Sequence, residues 1–448
     1  MGRDRIVGCR AVESSQSLTM NKVFCLVDCD CFYVSAERLF DPTLIGVPVV
    51  ALSNSDGCVV SRCPIAKSKD SANGGLGIKM GAPFFEIKHL MKSHGLRVVS
   101  SNYALYQEVS NRVMRVLETF APRIEVYSID ESWLDFSGVP GDLEVLGREI
   151  QTAVKKQTGI GVGVGFGPTK TLAKAANFSA KKWRSQTGGV VVLMDEIRRD
   201  KLLNWMPVDE IWGIGRKLSA RLEAMGIKKA IDLQRYDRKS LRKLFNVNVE
   251  KTSMELAGVS CYSLSDGPEP KQTIASTRSF GERVTTLQGL REAVATYASR
   301  ACAKLRSEGQ LSSCLQVFIQ TSRFDDKPYS RAAICGLVTP SNDTRLFVAA
   351  ALEGLQKIYV DGYRYAKAGI VLSQFCSGEG YQPDMFAPEP RRNSDVLMTV
   401  VDGINARYGR GSIRLAVEPP IPQWGMKRDF LSDSYCTDWA QLKRVKMT

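Results

Sequence analysis

Two short runs constrain this chain more than anything else in it: Phe24-Cys25-Leu26-Val27-Asp28-Cys29-Asp30 and Tyr127-Ser128-Ile129-Asp130-Glu131-Ser132. Each is an apolar, strand-like stretch that ends in acids. Desolvating an unpaired carboxylate is costly, so acids at the ends of buried strands need a positive partner between them. Hard divalent cations such as Mg²⁺ meet that need. They take oxygen ligands and leave positions for water and phosphate. Two such ions held by three acids activate an attacking hydroxyl and stabilise a leaving phosphate oxygen, which is nucleotidyl-transfer chemistry.

If the two strands are neighbours, Asp28, Asp130 and Glu131 converge. Asp28 and Asp130 would then bridge two Mg²⁺ ions. Glu131 would complete the ion that activates a primer 3′-hydroxyl, and the backbone carbonyl of Cys29 would add a ligand to the other. The plainer alternative is that these acids cap turns or pair with arginines. Tyr33, five residues past Asp28, is either a core tyrosine or the floor under a deoxyribose, where it would clash with a 2′-hydroxyl.

Charge narrows the partner. The chain has 448 residues, with 61 basic against 47 acidic, a net charge of +14. That excess favours a polyanion, either nucleic acid or an anionic membrane surface. No apolar run is long enough to span a bilayer and no signal peptide opens the chain, so nucleic acid is the better expectation, with a cytoplasmic, nucleoid-associated location. The length suggests about three domains at ~150 residues each. Twelve cysteines are present, but Cys25, Cys29, Cys31, Cys58 and Cys63 form no paired C-x-x-C units. His89 and His94 are the only histidines, which gives a Cys/His zinc site little to draw on. Thiols kept reduced in a cytosol are the expectation.

Patterning along the chain predicts an α/β region followed by an α+β one. Residues 1–20 read as a disordered polar extension. Strands are expected at Val23–Val27, Val47–Leu52, Cys58–Ser61, Arg97–Ser100, Ile124–Ile129, Trp133–Phe136 and Gly161–Gly167, alternating with helices at 32–39, 103–120 and 142–157. Residues 195–257 read as helical. Strands return at Thr273–Arg283, Ser313–Thr321, Tyr329–Leu337 and Ala368–Gln374, with helices near 287–308 and 343–359. Residues 377–396 have linker composition, and the remainder opens with a helix and ends irregularly.

Other motifs add chemistry. Lys170, Lys174 and Lys181 share one face of a helix at 169–182, with Asn177 on the same face. Such a stripe either neutralises phosphates or is a solvated basic face. Arg62 and Lys67 are further triphosphate candidates. Trp212-Gly213-Ile214-Gly215-Arg216-Lys217 reads as a Gly-x-Gly hairpin between helices, whose backbone N–H groups can approach a phosphate. Gln382-Pro383-Asp384-Met385-Phe386 places Met385 and Phe386 in a polar, Pro-rich segment, as short groove-binding peptides do.

Taken together, VDCDCFYVSAE, SNSDGCVVSR, LGIKMGAPFF, YSIDESWLDF, GVGFGPTKTLAKAAN, IWGIGRKLSARL, STRSFGERVT and NARYGRG resemble the Y-family translesion DNA polymerases. STRSFGERV and NARYGRG point to the UmuC branch, the catalytic subunits of bacterial DNA polymerase V. The resemblance implies a right-hand polymerase: palm at 21–31 and 97–188, fingers at 32–96, a helix-hairpin-helix thumb at 189–258 and a little finger at 271–376. It further implies a linker at 377–393 carrying a clamp-binding peptide, and a partner-binding region at 394–448.

The resemblance assigns the metal ligands to Asp28, Asp130 and Glu131, and the steric gate to Tyr33. Arg62, Lys67 and Lys181 would contact the incoming dNTP. Lys174, Gly213, Gly215, Arg216, Lys217 and Arg278 would contact primer-template DNA. Gln382, Asp384, Met385 and Phe386 would bind the sliding clamp. A processed UmuD-type dimer and RecA are the implied partners in the SOS response. Two departures stand out. Residues Lys69–Gly75 look inserted in the fingers, and Pro64 stands where some relatives place a tyrosine against the triphosphate.

The resulting expectation is an error-prone, template-directed DNA polymerase that copies past damaged bases. Two rivals remain open from sequence. One is a non-catalytic DNA- and clamp-binding accessory protein. The other is another palm-type nucleotidyl-transfer enzyme such as a cyclase.

Overall fold

The structure is a computed structural model that describes residues 22–265, 267, 270–378, 386, 393–422, 424–436 and 438–442. The expected extension at 1–20 and the peptide residues Gln382–Met385 lie outside the described residues. Internal packing divides the chain into two units. One comprises residues 1–40, 103–267 and 435–439, and the other 41–102, 268–434 and 440–448.

The first unit is built on a five-stranded sheet in the order Arg123–Val126, Glu131–Asp135, Phe24–Cys29, Val162–Gly167, Val190–Val192. Phe24–Cys29 lies in the middle, antiparallel to both neighbours. Its continuous apolar run follows from burial on both faces. Cys25, Val27 and Cys29 pack on helices Tyr103–Leu117 and Leu143–Thr158 through Val109, Val113, Ile150 and Val154. Phe24 and Leu26 point the other way, toward Trp133 and Ala173.

That second face is covered by helix Lys170–Lys182, whose start Thr169 caps by accepting the Leu172 N–H. The alternating glycines of Val162–Gly167 let it approach closely. A Cβ on Gly165 would lie 2.2 Å from the Asn177 nitrogen, and one on Gly167 2.7 Å from the Ala173 nitrogen. Residues 196–256 form the expected helical region, and its core, which includes Leu203, Ile211, Leu222 and Leu233, is shared with Leu172 and Ala176 of helix Lys170–Lys182.

The second unit holds two sheets. A three-stranded sheet runs Val59–Arg62, Val49–Leu52, Arg97–Ser100. A four-stranded antiparallel sheet runs Ser330–Ser341, Gln310–Gln320, Tyr365–Ser377, Ile274–Val284 and packs on helices Leu287–Ser307 and Thr344–Ile358. The stretch 69–75 forms a tight turn. Asp70 caps a 3₁₀ turn at Ser71–Asn73, and a Cβ on Gly75 would lie 2.7 Å from the backbone oxygens of Ser68 and Asp70. Pro64 occupies the first turn of the short helix Pro64–Lys67.

The irregular C-terminal segment is firmly seated. Trp424 is buried against Phe280 and Tyr297, with ring centroids 6.1 and 5.3 Å away. Phe430 meets Phe84 edge-on at 5.4 Å, and its N–H and C=O bond to Ser100. Buried Asp56 accepts from the Ser100 hydroxyl at 2.6 Å and from the Asp429 N–H at 2.8 Å. The described cysteines form no disulfide, and no described helix is long and apolar enough to cross a membrane.

Candidate active site

Strand register joins the two acidic runs. Asp28 is the direct antiparallel partner of Glu131, and the Cys29 N–H donates to the Asp130 carbonyl at 2.9 Å. The turn before Glu131 is held by the Tyr127 and Ser128 N–H groups, both donating to the Glu131 carbonyl at 3.1 Å. The Ser128 hydroxyl donates to Asp130 Oδ1 at 2.6 Å.

Cations already sit on these oxygens. Lys181 forms an ion pair with Asp28 and donates to the Cys29 carbonyl at 3.0 Å. Lys174 pairs with Glu131 at 2.9 Å and lies over the Tyr127 and Trp212 rings at 5.0 and 5.8 Å. Burial raises the Asp28 carboxyl to about 6; Lys181 opposes this, and the nearby Glu131 and Asp130 charges add to it. Among the described residues, no group of three His, Cys, Asp or Glu side chains is gathered as a metal site. The acids share one end of a strand pair, but each carboxylate has its own partner.

The donor set nevertheless fits a hard cation. The Lys181 ammonium bridges a carboxylate and a main-chain carbonyl, the two oxygen types a divalent ion would take there. The Cys29 carbonyl, expected as a metal ligand, is occupied by the Lys181 ammonium.

The lysine stripe packs inward. Its face turns onto the sheet, because the glycine strand lets the helix close down on it. Lys170 is buried, pairs with Glu125 at 2.6 Å and lies over the Trp133 ring. Asn177 donates to the carbonyls of Leu26 and Gly163 at 3.2 and 2.7 Å. Lys174, expected at DNA, is engaged by Glu131. Neither Glu125 nor the Arg184–Asp30 ion pair was anticipated. The Gly163, Gly165, Gly167 alternation was the available signal for an inward-facing stripe.

Tyr33 lies on helix Phe32–Phe40, stacked on Tyr106 at 4.4 Å and edge-on to Tyr103 at 6.3 Å. Tyr106 donates to buried Glu37 at 2.7 Å, which fixes the platform. Burial, then Tyr103 and Asp130, raise the Tyr33 phenol, so it stays neutral beside the acids.

Gly213 has φ +88, a conformation that favours glycine, and Gly215 precedes helix Arg216–Ala224 with no side-chain cap. Gly215, Arg216 and Lys217 are exposed while Ile211 and Ile214 anchor the turn in the core. Arg62 and Lys67 belong to the second unit. Arg62 donates to the Ile78 carbonyl, and Lys67 ends the short helix Pro64–Lys67. Phe386 is 90% exposed.

Arg278 was expected at DNA. Its register partner Ala368 is buried, as are Ile274 and Ile370 of the same face, so Arg278 lies on the helix-packed side of its sheet.

The chain as a whole matches known proteins. The chain matches the impB/mucB/samB family over residues 27–177, its C-terminal domain over 271–385, and the IMS family HHH motif over 198–227. Residues 395–445 match a domain of unknown function, DUF4113. The chain is 46% identical over 433 residues to Protein SamB of Salmonella typhimurium, covering 95% of this chain and all of that one. It is 45% identical over 429 residues to Protein UmuC of Salmonella typhimurium LT2, with the same coverage. DNA polymerase IV 2 of Bacillus subtilis is 26% identical over 408 residues, covering 88% of this chain and 93% of that one. Among solved structures, the Y-family DNA polymerase chimera Dbh-Dpo4(243-245)-Dbh superposes with a TM-score of 0.63 at 23% identity, covering 79% of this chain and 99% of that one. The fold is thus the mixed α/β and α+β right-hand fold of Y-family polymerases. The chain belongs to the impB/mucB/samB family, the UmuC-like branch of that fold.

Proposed function

We propose that this chain is an error-prone, template-directed DNA polymerase that performs translesion synthesis in the SOS response. The observation that carries this reading is the cross-strand pairing of Asp28 with Glu131, whose oxygens, with the Cys29 carbonyl, already hold two ammonium groups. Family membership and the 45% identity to UmuC support it.

Asp28, Asp130, Glu131 and the Cys29 carbonyl would hold two Mg²⁺ ions. When bound, these supply acidification of the primer 3′-hydroxyl and charge neutralisation at the dNTP phosphates. The chain's own residues prepare the site. Lys181 and Lys174 hold the carboxylates in place and offset part of the cost of burying their charge. Tyr33, braced by Tyr106, presents a flat wall to the sugar. Arg216 and Lys217 hold DNA by its phosphates, which fixes register and carries no sequence information. Arg62 and Lys67 would contact the triphosphate.

In this reading the region around the first sheet is the palm (21–31, 97–188), residues 32–96 the fingers, 189–258 the thumb and 271–376 the little finger. Gln382–Phe386 would bind the sliding clamp. A processed UmuD-type dimer and RecA would be partners, and the protein would act in the cytoplasm at the nucleoid.

The test is primer extension on undamaged and abasic templates with Mg²⁺, supplying clamp, UmuD-type dimer and activated RecA. Extension past the lesion that is lost in the Asp130→Ala/Glu131→Ala double variant supports the reading. DNA binding with no extension under any of these conditions would favour an accessory protein instead.

A further inference from the structure

The second unit contains a cavity of ≈ 1240 Å³ bounded by strand Ile274–Val284, helix Leu287–Ser307 and the C-terminal segment from helix Ser394–Tyr408 onward. Three arginines from three separate elements face it: Arg278 from the strand, Arg300 from the helix and Arg410 from the segment after Ser394–Tyr408. Partial burial, then Arg278 and Arg410, lower the Arg300 guanidinium from its usual range, so Arg300 feels both of the other charges.

Like charges drawn together need a counter-charge. Asp395, Asp402 and Glu418 lie on the same wall, and none of them forms an ion pair with these arginines, although Glu418 acts on Arg300 in the opposite sense. Asp402 is taken by Arg306 in a two-bond pair at 2.6 and 2.8 Å, and Glu418 accepts from the Ser299 hydroxyl at 2.7 Å and the Leu415 N–H at 3.3 Å. Among the described residues, none of Arg278, Arg300 and Arg410 forms an ion pair. Arg278 makes only a short-range bond to the neighbouring Thr277 carbonyl.

We propose that this cavity is a binding site for a phosphate-bearing anion, held by Arg278, Arg300 and Arg410. Arginine suits this chemistry because its planar fork bonds phosphate oxygens two at a time. A single carboxylate would neutralise one of the three guanidiniums, whereas a chain of phosphates engages all of them. The site is separate from the sheet's open face, where Thr277, Gly369 and Phe318 form one cross-strand row with Lys367 over the Phe318 ring. It does not depend on the polymerase reading. The anion's source is an inorganic oligophosphate, the phosphate chain of a nucleotide or a nucleic-acid backbone, which share this chemistry.

The test is isothermal titration of the full-length protein with inorganic tripolyphosphate in EDTA, so that metal-dependent binding at the acids is silent. One saturable site is expected. Arg300→Gln and Arg410→Gln should each weaken binding about tenfold or more, with Arg410→Lys intermediate because it keeps charge but not the fork. Both side chains are solvent-facing, and an unchanged melting temperature without ligand shows that the variants are folded. Competition by a nucleoside diphosphate or by a single-stranded oligonucleotide then identifies the source, and either supports the site. Absence of saturable binding, or equal binding by both glutamine variants, overturns it. So does a poly-glutamate peptide that binds where tripolyphosphate does not.

Discussion

Asp28 and Glu131 are direct cross-strand partners, yet each carboxylate is tied to a different lysine of one helix, Asp28 to Lys181 and Glu131 to Lys174. Each acid is paired with its own cation, although the Glu131 charge still acts on Asp28. In the proposed role, a metal entering between them would compete with these ammonium groups. Replacing Glu131 with Gln should leave the strand pairing intact and lower primer extension by on the order of 10³-fold, since metal-assisted steps rest on the ligand charge. DNA affinity, read by fluorescence anisotropy in parallel, should stay within about twofold, because phosphate contacts rather than this carboxylate set it. Retention of near-normal extension would remove Glu131 from the site.

Stability should respond to pH through Asp28. Its folded-state pKa lies at about 6 against an ordinary 3.8, so the unfolded chain releases this proton first. Ionised Asp28 therefore destabilises the fold. The penalty is absent below the ordinary value, grows between the two and is complete above the raised one. Asp28→Asn should raise unfolding stability at pH 7.5 by on the order of 1–3 kcal/mol in EDTA, with the gain shrinking toward pH 4. Urea unfolding at both pH values measures it. An asparagine variant no more stable than wild type at pH 7.5 would mean that Lys181 compensates fully.

Tyr33 is held flat by Tyr106 rather than free to swing away. In the proposed role of Tyr33 as steric gate, Tyr33→Ala should increase ribonucleotide incorporation relative to deoxyribonucleotide at least about tenfold, because the discrimination would be a steric clash and not a hydrogen bond. Tyr33→Phe should keep the discrimination. Single-nucleotide insertion with matched ribo- and deoxyribonucleotides decides it, and equal ratios in wild type and Tyr33→Ala would return Tyr33 to a core role.

Trp424 joins the C-terminal segment to the four-stranded sheet's core. Trp424→Ala should cost about 3–5 kcal/mol in that unit, the usual penalty for emptying a buried aromatic site. The loss should be seen in chemical unfolding as an earlier transition. A shift within the error of the midpoint would show that the segment only rests on the surface.

Arg216 and Lys217 flank exposed Gly215 at a helix start. Alanine at both should reduce the slope of log binding constant against log salt by about 2, one per phosphate contact. The affinity loss should be equal across template sequences. An unchanged slope would place DNA elsewhere.

The elements themselves were largely legible. Arg97–Ser100 is a strand as expected, and the doubly buried run at Phe24–Cys29 is the middle strand of its sheet. From sequence the acids converge only on the condition that their strands are neighbours; the pairing of Asp28 with Glu131 comes from the register of the folded sheet. The direction of the lysine stripe was not legible. Helical spacing puts Lys170, Lys174 and Lys181 on one face but does not say which way that face turns. Only the close approach over Gly163, Gly165 and Gly167 turns it inward, onto Glu125, Glu131 and Asp28.

Arg278 shows the same limit. Its strand was expected, but the side of the sheet it occupies depends on the pairing of Arg278 with Ala368. The seating of Trp424 and Phe430 was equally hidden, because irregular backbone has no period to read. Local sequence thus determined which residues are strand, helix and acid. Long-range packing decided which of those charges meet, because burial and register are properties of contacts between segments far apart in the chain.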